Sequence, residues 1–259
     1  MVQLSDIDKT DDRPPYRQIA AALREAITLG RLAPGGQLPS ESELVERYGV
    51  ARMTVRQALQ VLKAEGLIVS QHGRGVFVRS APVVRRLASE RFARRHRDRG
   101  KAAFSVEAET VGYSAKVDRI QVSEAVAPAA IAERLKLKPG ETVVVRDRRY
   151  LANNEPIEMA VSYIPADLAC GTPIVEQNPG PGGIYARLEE NGHILDRFVE
   201  EVAARMPTPD ERRALELSPG VPVLTVVRTA YDNTGRPVEV CDTVKAAYAY
   251  VLEYDFPAR

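Results

Sequence analysis

Cysteine is nearly absent. Cys170 and Cys241 are the only two, too few for a disulfide framework and without the spacing of a metal site. Histidine is almost as scarce, limited to His72, His96 and His193. No Ser/His/Asp order, HExxH, P-loop or GxGxxG context accompanies these residues. The Gly-rich run EQNPGPGGIY has no strand leading into it with nucleotide-loop spacing, and it reads as a turn before a helix. His96 sits among arginines with no ligand partner nearby, and His193 near Asp196 reads as a satisfied surface pair. Neither a metal nor a cofactor is expected, and an enzyme is left as a remote alternative. No apolar run approaches the roughly 18 residues needed to cross a bilayer. The opening MVQLSDIDKTDDRPPY is acidic, where a signal peptide would be basic and then apolar. The expectation is a cytoplasmic protein with no membrane partner.

What is present has the makeup of a globular protein, with 44% hydrophobic and 27% charged residues over a length of 259 that suits two domains. The net charge of +1 conceals an asymmetry. Residues 1–80 carry 11 Lys/Arg against 9 Asp/Glu, residues 81–101 carry 8 against 2, and residues 102–259 carry 17 against 24. A basic N-terminal third on an acidic body suits a polyanion partner for the N-terminal part alone, although a solvated basic linker would look the same.

From Tyr16 to Gly30, apolar residues Ile19, Leu23, Ala26 and Ile27 recur at helical spacing after Pro14-Pro15. Ser40 stands three residues before Glu43, a capping box that opens a second helix running to about Tyr48. Gly49 turns the chain into a third helix, closed by Gly66. On a wheel of about 100° per residue, Val55, Ala58, Leu59 and Leu62 of that helix share one side. Met53, Arg56, Gln57 and Gln60 share the other, with Arg52 and Thr54 on the flanks. A polar outer face is ordinary for a surface helix. Here, however, a short helix, a Gly turn and a helix rich in Arg and Gln make up a helix-turn-helix. That motif presents its last helix to base edges, where Arg matches guanine and Gln matches adenine. Leu67–Ser70 and Val76–Arg79 then read as strands joined by Gln71-His72-Gly73-Arg74-Gly75, a wing whose bare backbone and cations suit phosphate or minor groove.

The run from Pro14 to Val78 resembles the winged helix-turn-helix of the GntR family of bacterial transcription regulators, most specifically at LPSESEL, TVRQAL, EGLI and HGRGVFV. The resemblance implies DNA contacts at Arg52, Thr54 and Arg56 and at His72 and Gly73 of the wing. Gln57, Arg74, Ser40 and Ser42 complete the candidate DNA-contacting set. Ser42 stands where some members carry a further arginine, and Ala51 stands where many carry a capping Ser or Thr.

Residues 81–101 read as a linker between a DNA-binding domain at 1–80 and a second domain at 102–259. The linker is either a basic strap that attracts phosphate or a mobile tether. Beyond it the periodicity becomes strand-like in SAKVDRIQVSE, TVVVRDRRYL, PIEMAVSYIP, VPVLTVVRTAY and RPVEVCDTVKAAYAYVLEY. Helices are expected near Ala129–Leu135, Ile184–Glu190 and Asp210–Leu217, which gives an α+β class with mostly antiparallel pairing. The segment from Leu135 repeats from Leu215, aligning Leu137, Pro139, Gly140, Val143 and Arg148 with Leu217, Pro219, Gly220, Val223 and Arg228. One added residue then aligns Pro156 and Glu158 with Pro237 and Glu239. A pseudo-symmetric sheet with a crevice is expected. Arg148 and Arg228 would hold equivalent positions in it, either in surface salt bridges or around an anionic or polar ligand.

This second domain resembles the UTRA effector-binding domain of the HutC subfamily of GntR regulators, whose fold is that of chorismate lyase. The resemblance implies a pocket formed by Phe104, Ser105, Arg148, Tyr150, Ser162, Tyr163 and Glu239, to which the repeat adds Arg228. Members that bind phosphorylated sugars tend to have Arg at Tyr150, Glu at Ala160 and Ser at Ala103, so a phosphosugar effector is not expected. The function implied is a homodimeric regulator, a repressor, on a palindromic DNA operator, released or retained by a small molecule. The alternative is a ligand-independent repressor of plasmid or phage type whose second domain only dimerises, and the lyase-like fold leaves an enzyme of lyase type as a remote one.

Overall fold

A computed structural model describes residues 3–8, 10–71, 73–79, 84–87, 92–101, 104–106, 108 and 112–255 of the chain. The chain divides into two compact units, one built on residues 1–81 and the other on residues 82–216 and 222–259.

In the first unit, helices α1 (Pro15–Thr28), α2 (Glu41–Tyr48) and α3 (Arg52–Ala64) precede strands β1 (Ile68–Gln71) and β2 (Gly75–Val78). Pro15 starts α1, where its missing N–H costs nothing. The α1 stripe Ile19, Leu23 and Ala26 is fully buried against Leu44, Val55, Leu59, Leu62, Ile68 and Val78. Full burial of each Leu, Ile or Val contributes about 1.5–3 kcal/mol. The segment before α1 is part of this unit. Leu4 is buried in its core, Asp8 N–H donates to Gln18 at 2.8 Å, and Arg24 ties α1 to Glu65 at 2.6 Å.

The second unit holds a six-stranded antiparallel sheet. Its strands are β4 (Ala115–Val126), β5 (Thr142–Ala152), β6 (Glu155–Pro165), β7 (Leu195–Arg205), β8 (Val223–Asp232) and β9 (Pro237–Ala246), in the order β4-β5-β6-β9-β8-β7. This order realises the sequence repeat as two strand-helix-hairpin halves that meet at the β6–β9 pair. Bulges fall at Tyr150/Leu151 and at Ala230/Tyr231, equivalent points of the two hairpins. Lys136 (φ 55°) and Glu216 (φ 52°), equivalent positions again, both end a helix in the left-handed region. Its helices include α4 (Arg94–Asp98), α5 (Ala129–Leu135), the single turn α6 (Ala166–Ala169), α7 (Gly183–Glu190) and α8 (Pro209–Ala214). One sheet face packs Leu135 and Ile131 with Val143, Tyr163, Val227 and Val240. The other packs Ile184, Tyr185 and Leu188 of α7 with Val144, Ile164 and Ala230.

Several elements depart from the sequence reading, two strands among them. LDRFVEEVAAR forms β7, an edge strand with most of its residues exposed, so neither face shows an apolar alternation. The expected linker contains a strand, β3 (Val84–Leu87), which pairs in parallel with β10 (Tyr250–Glu253). Its charges are also engaged. Buried Arg86 is ion-paired with Glu200, and Arg97 meets Glu189 at 2.9 Å. Residues 84–101 are therefore neither a free tether nor a uniformly available phosphate strap where they are described.

Candidate DNA interface and effector cavity

The α2–α3 corner follows from its caps. Ser40 Oγ accepts from Glu43 N–H at 3.2 Å while the Glu43 carboxylate accepts from Ser40 N–H at 2.7 Å. These bonds hold the Glu43 carboxyl below its ordinary range. Gly49, at φ 59°, ends α2 in the left-handed conformation that permits so short a turn. Helix α3 begins at Ala51 without a side-chain cap, so the first turn is held by its packing. Val55, Ala58, Leu59 and Leu62 are buried; Arg52, Met53, Arg56, Gln57 and Gln60 are exposed and Thr54 is half-buried. Met53 is 62% exposed, a large apolar side chain left in solvent in the first turn.

Helix α2 braces the arginines of α3. Arg52 Nη2 donates to Ser42 Oγ at 3.3 Å, and Arg56 Nε lies 3.0 and 3.2 Å from the two carboxylate oxygens of Glu41. Ser40 and Ser42 are exposed beside them, the first as the α2 cap. In the wing, Gln71 pairs with Gly75, with Gly73 and Arg74 at the tip. His72 lies outside the described residues. Gly73 (φ 70°) and Arg74 are exposed, with the Arg74 guanidinium 5.6 Å from the Phe77 ring centre. Gln37 Nε2 donates to Arg74 C=O at 3.0 Å and ties the tip to the loop before α2. The structure thus groups Ser40, Ser42, Arg52 and Arg56 at one corner, with Thr54 and Gln57 on the same helix and Gly73 and Arg74 on the tethered hairpin.

The second unit encloses a cavity of about 290 Å³ over one face of the sheet. Strand registers place Arg146, Ser162, Cys241 and Arg228 in one cross-strand row and Arg148, Ala160, Thr243 and Val226 in the next. Phe104, Ser105, Arg148, Tyr150, Arg228 and Glu239 of the expected set all line the cavity. Ser162 lies under it, fully buried, accepting a hydrogen bond from Arg148 Nη2. Tyr163 is corrected. It packs on the opposite face with Leu135, Val143 and Val240, because consecutive strand residues cannot share a face.

Sequence reasoning missed several cavity residues. Arg146 is buried, its guanidinium donating to the carbonyls of Ile174, Glu176 and Gln177. Burial, with Arg148 close by, brings its pKa down to about 10. Tyr185 and Phe92 come from α7 and from the basic segment, where a lone aromatic was the only signal. Glu158 is engaged by Lys245 and by the Tyr250 hydroxyl at 2.5 Å.

Arg228 and Glu239 form a buried pair at 3.3 Å, with Tyr185 donating to Glu239 and accepting from Arg228 Nε at 3.0 Å. Burial disfavours the Glu239 carboxylate, but Arg228 and the bonds from Ser162 and Tyr185 overcome that and lower its pKa. Burial also disfavours the Arg228 cation, yet Tyr185, Cys241 and Glu239 raise its pKa well above the usual value. The phenol of Tyr185 is likewise raised, first by burial. His193 was expected beside Asp196; its Nδ1 instead lies 2.9 Å from Asp232. Among the described residues no His/Cys/Asp/Glu cluster could hold a metal, and no helix is long and apolar enough to cross a membrane.

A capped helix-turn-helix with a tethered wing, in one chain with a cavity-bearing antiparallel domain, defines a two-part DNA-binding regulator. Residues 15–78 match the bacterial regulatory proteins of the gntR family, and residues 110–250 match the UTRA domain. An HTH-type transcriptional regulator of Streptomyces coelicolor is 33% identical, the match covering 94% of this chain and 93% of the other. The HTH-type transcriptional repressor NagR of Bacillus subtilis is 30% identical, with 95% and 96% covered. The crystal structure of PhnF from Mycobacterium smegmatis superposes with a TM-score of 0.60 over 93% of this chain and 99% of that one; at 22% identity the likeness speaks for the fold. The chain belongs to the GntR family of transcriptional regulators and carries a UTRA effector domain. Its relatives are regulators rather than enzymes.

Proposed function

We propose that the protein is a repressor of HutC type. Its homodimer binds a palindromic operator through two winged helices and is switched by a small molecule in the cavity of the second domain. Residues 1–80 serve the DNA and residues 102–259 the ligand and the dimer. Arg52, Thr54, Arg56 and Gln57 read base edges, and Arg56 and Arg52 each match the acceptor pair of a guanine. Ser40, Ser42, His72, Gly73 and Arg74 contact the backbone and minor groove. The observation that carries the reading is α3 itself, whose apolar side is fully buried while the arginines of its first two turns stand exposed and braced from α2. NagR, a relative over nearly its whole length, is a repressor, which supports repression here. A cavity lined by both arginines and aromatics supports ligand control, because a ligand that prefers one dimer geometry shifts DNA affinity by its preference.

Selection of bound genomic fragments by the full chain tests this. An inverted repeat with half-sites about one helical turn apart, or a multiple of it, is expected. Recovery of fragments with no shared repeat contradicts it. Release of such an operator by a small-molecule extract of cells is expected from ligand control. No release by any extract would favour a second domain that only dimerises.

A further inference from the structure

The charges in the cavity do not balance, and the imbalance follows the internal repeat. In the second half, Arg228 has its own carboxylate, Glu239, at 3.3 Å and the Tyr185 hydroxyl at 3.0 Å. The corresponding carboxylate of the first half is Glu158, but Lys245 and Tyr250 engage it. The first half has Ile164 at the position equivalent to Lys245, so Glu239 meets no such lysine and stays with Arg228, whereas Glu158 is taken. Among the described residues Arg148 therefore has no carboxylate within ion-pairing distance, whereas its twin has one. Its guanidinium bonds to the Ser162 hydroxyl, and its buried Nε has no hydrogen-bond partner among the described residues. Arg146 is met by three backbone carbonyls at Nη1 and Nη2, which leave its charge uncancelled, and its buried Nε, like that of Arg148, has no hydrogen-bond partner among the described residues.

Resting on the ligand-control reading, we propose that the effector is a small monocarboxylate with a flat apolar body. Its carboxylate takes beside Arg148 the place that Glu239 takes beside Arg228. A guanidinium presents a planar fork that a carboxylate fits with two parallel bonds. Glu239, fixed in the same cavity, repels a second negative charge, so a monoanion is favoured over a phosphate dianion. The body follows from the walls. Phe104 and Tyr150 stand 4.5 Å apart, and Phe92 stands 5.9 Å from Tyr185. The Arg228 guanidinium lies 4.6 Å above Phe92, which spends that cation on the ring. Val117 and Ile120 line the same space. Such a surface rewards an aryl or unsaturated group over a polyol, whose hydroxyls would need partners that apolar walls lack.

Calorimetric titration of the full-length protein tests this with phenylacetate, cinnamate and indole-3-acetate, their primary amides, and glucosamine 6-phosphate. At least one acid is expected to bind about ten- to a hundredfold more tightly than its own amide, the weight of a charge-assisted bond. Arg148→Gln removes that preference and Arg148→Lys restores part of it. Should Arg148→Gln fail to fold, the acid-against-amide comparison on the unmodified protein still decides. Equal binding of acid and amide overturns the inference, as does binding of glucosamine 6-phosphate without any acid; either result leaves ligand control standing. Failure of every probe also overturns it, and ligand control falls with it only if cell extracts fail to release the operator as well.

Discussion

Two Arg–Glu pairs, one in each unit, have similar geometry and opposite consequences. Arg56 and Glu41 stand 3.0 Å apart with side chains 53% and 35% exposed; Arg228 and Glu239 stand 3.3 Å apart at 9% and 1%. In water the first pair contributes roughly 0–1 kcal/mol, so Arg56 can leave its partner for a base edge at little cost. The second pair sits where an unpartnered charge is intolerable, and each member fixes the other. Distance alone does not separate a residue that reads a ligand from one that builds a wall; solvent around the pair does. By the same reasoning Arg148, half-buried and without a carboxylate of its own half, lies between the two cases.

The comparison can be broken at its buried end first. Glu239→Gln leaves Arg228 charged in the interior, and a loss of about 3–5 kcal/mol in chemical denaturation is expected. A loss below 1 kcal/mol would mean that water reaches the pair. A smaller effect, in acid, is expected at the β8–β9 turn. Although burial opposes its charge, Asp232 is held at about 2 by His193, Thr234 and the backbone N–H groups of Thr234 and Arg236. Its carboxyl ionises more readily in the folded chain than in the unfolded one, where 3.8 applies. The stabilisation is thus complete above about pH 4 and disappears as the pH falls toward 2. Asp232→Asn should cost about 1–2 kcal/mol at pH 6 and little at pH 2; an equal cost at both would refute the linkage.

Smaller still is the expected gain from Ala51→Ser. The backbone at Ala51 (φ −65°, ψ 148°) suits a capping hydroxyl, and about 0.5–1 kcal/mol should be added to the melting stability of the first unit. No gain would show that the first turn of α3 is already fully satisfied. The least effect is expected from Arg97→Ala, because Arg97 is held by Glu189. The salt dependence of operator binding should keep its slope; a slope reduced by about one would place that arginine on phosphate.

Periodicity made the first unit legible almost residue by residue. Each helix there has one apolar stripe, and the caps Ser40 and Gly49 mark its ends. The repeat likewise exposed the two hairpins and their paired arginines. Three features escaped for physical reasons. Strand β7 is an edge with polar residues on both faces, so alternation carried no signal. Strand β3 draws its order from β10, some 160 residues away in the chain, and no local pattern reports such a partner. His193 was assigned the acid three residues on, whereas the fold brings Asp232 from the facing hairpin. Tyr163 was a different failure, since strand alternation alone separates it from Ser162 once the cavity face is known.

The central claim is that the exposed face of α3 reads sequence. Its most direct test is the ratio of operator to scrambled-sequence affinity at fixed salt, for the protein and for Arg56→Ala. The variant is expected to melt as before, losing about 1–3 kcal/mol of discrimination with its preference relaxed at one base pair of each half-site. An unchanged ratio, with the same base preferred at every position, would contradict it.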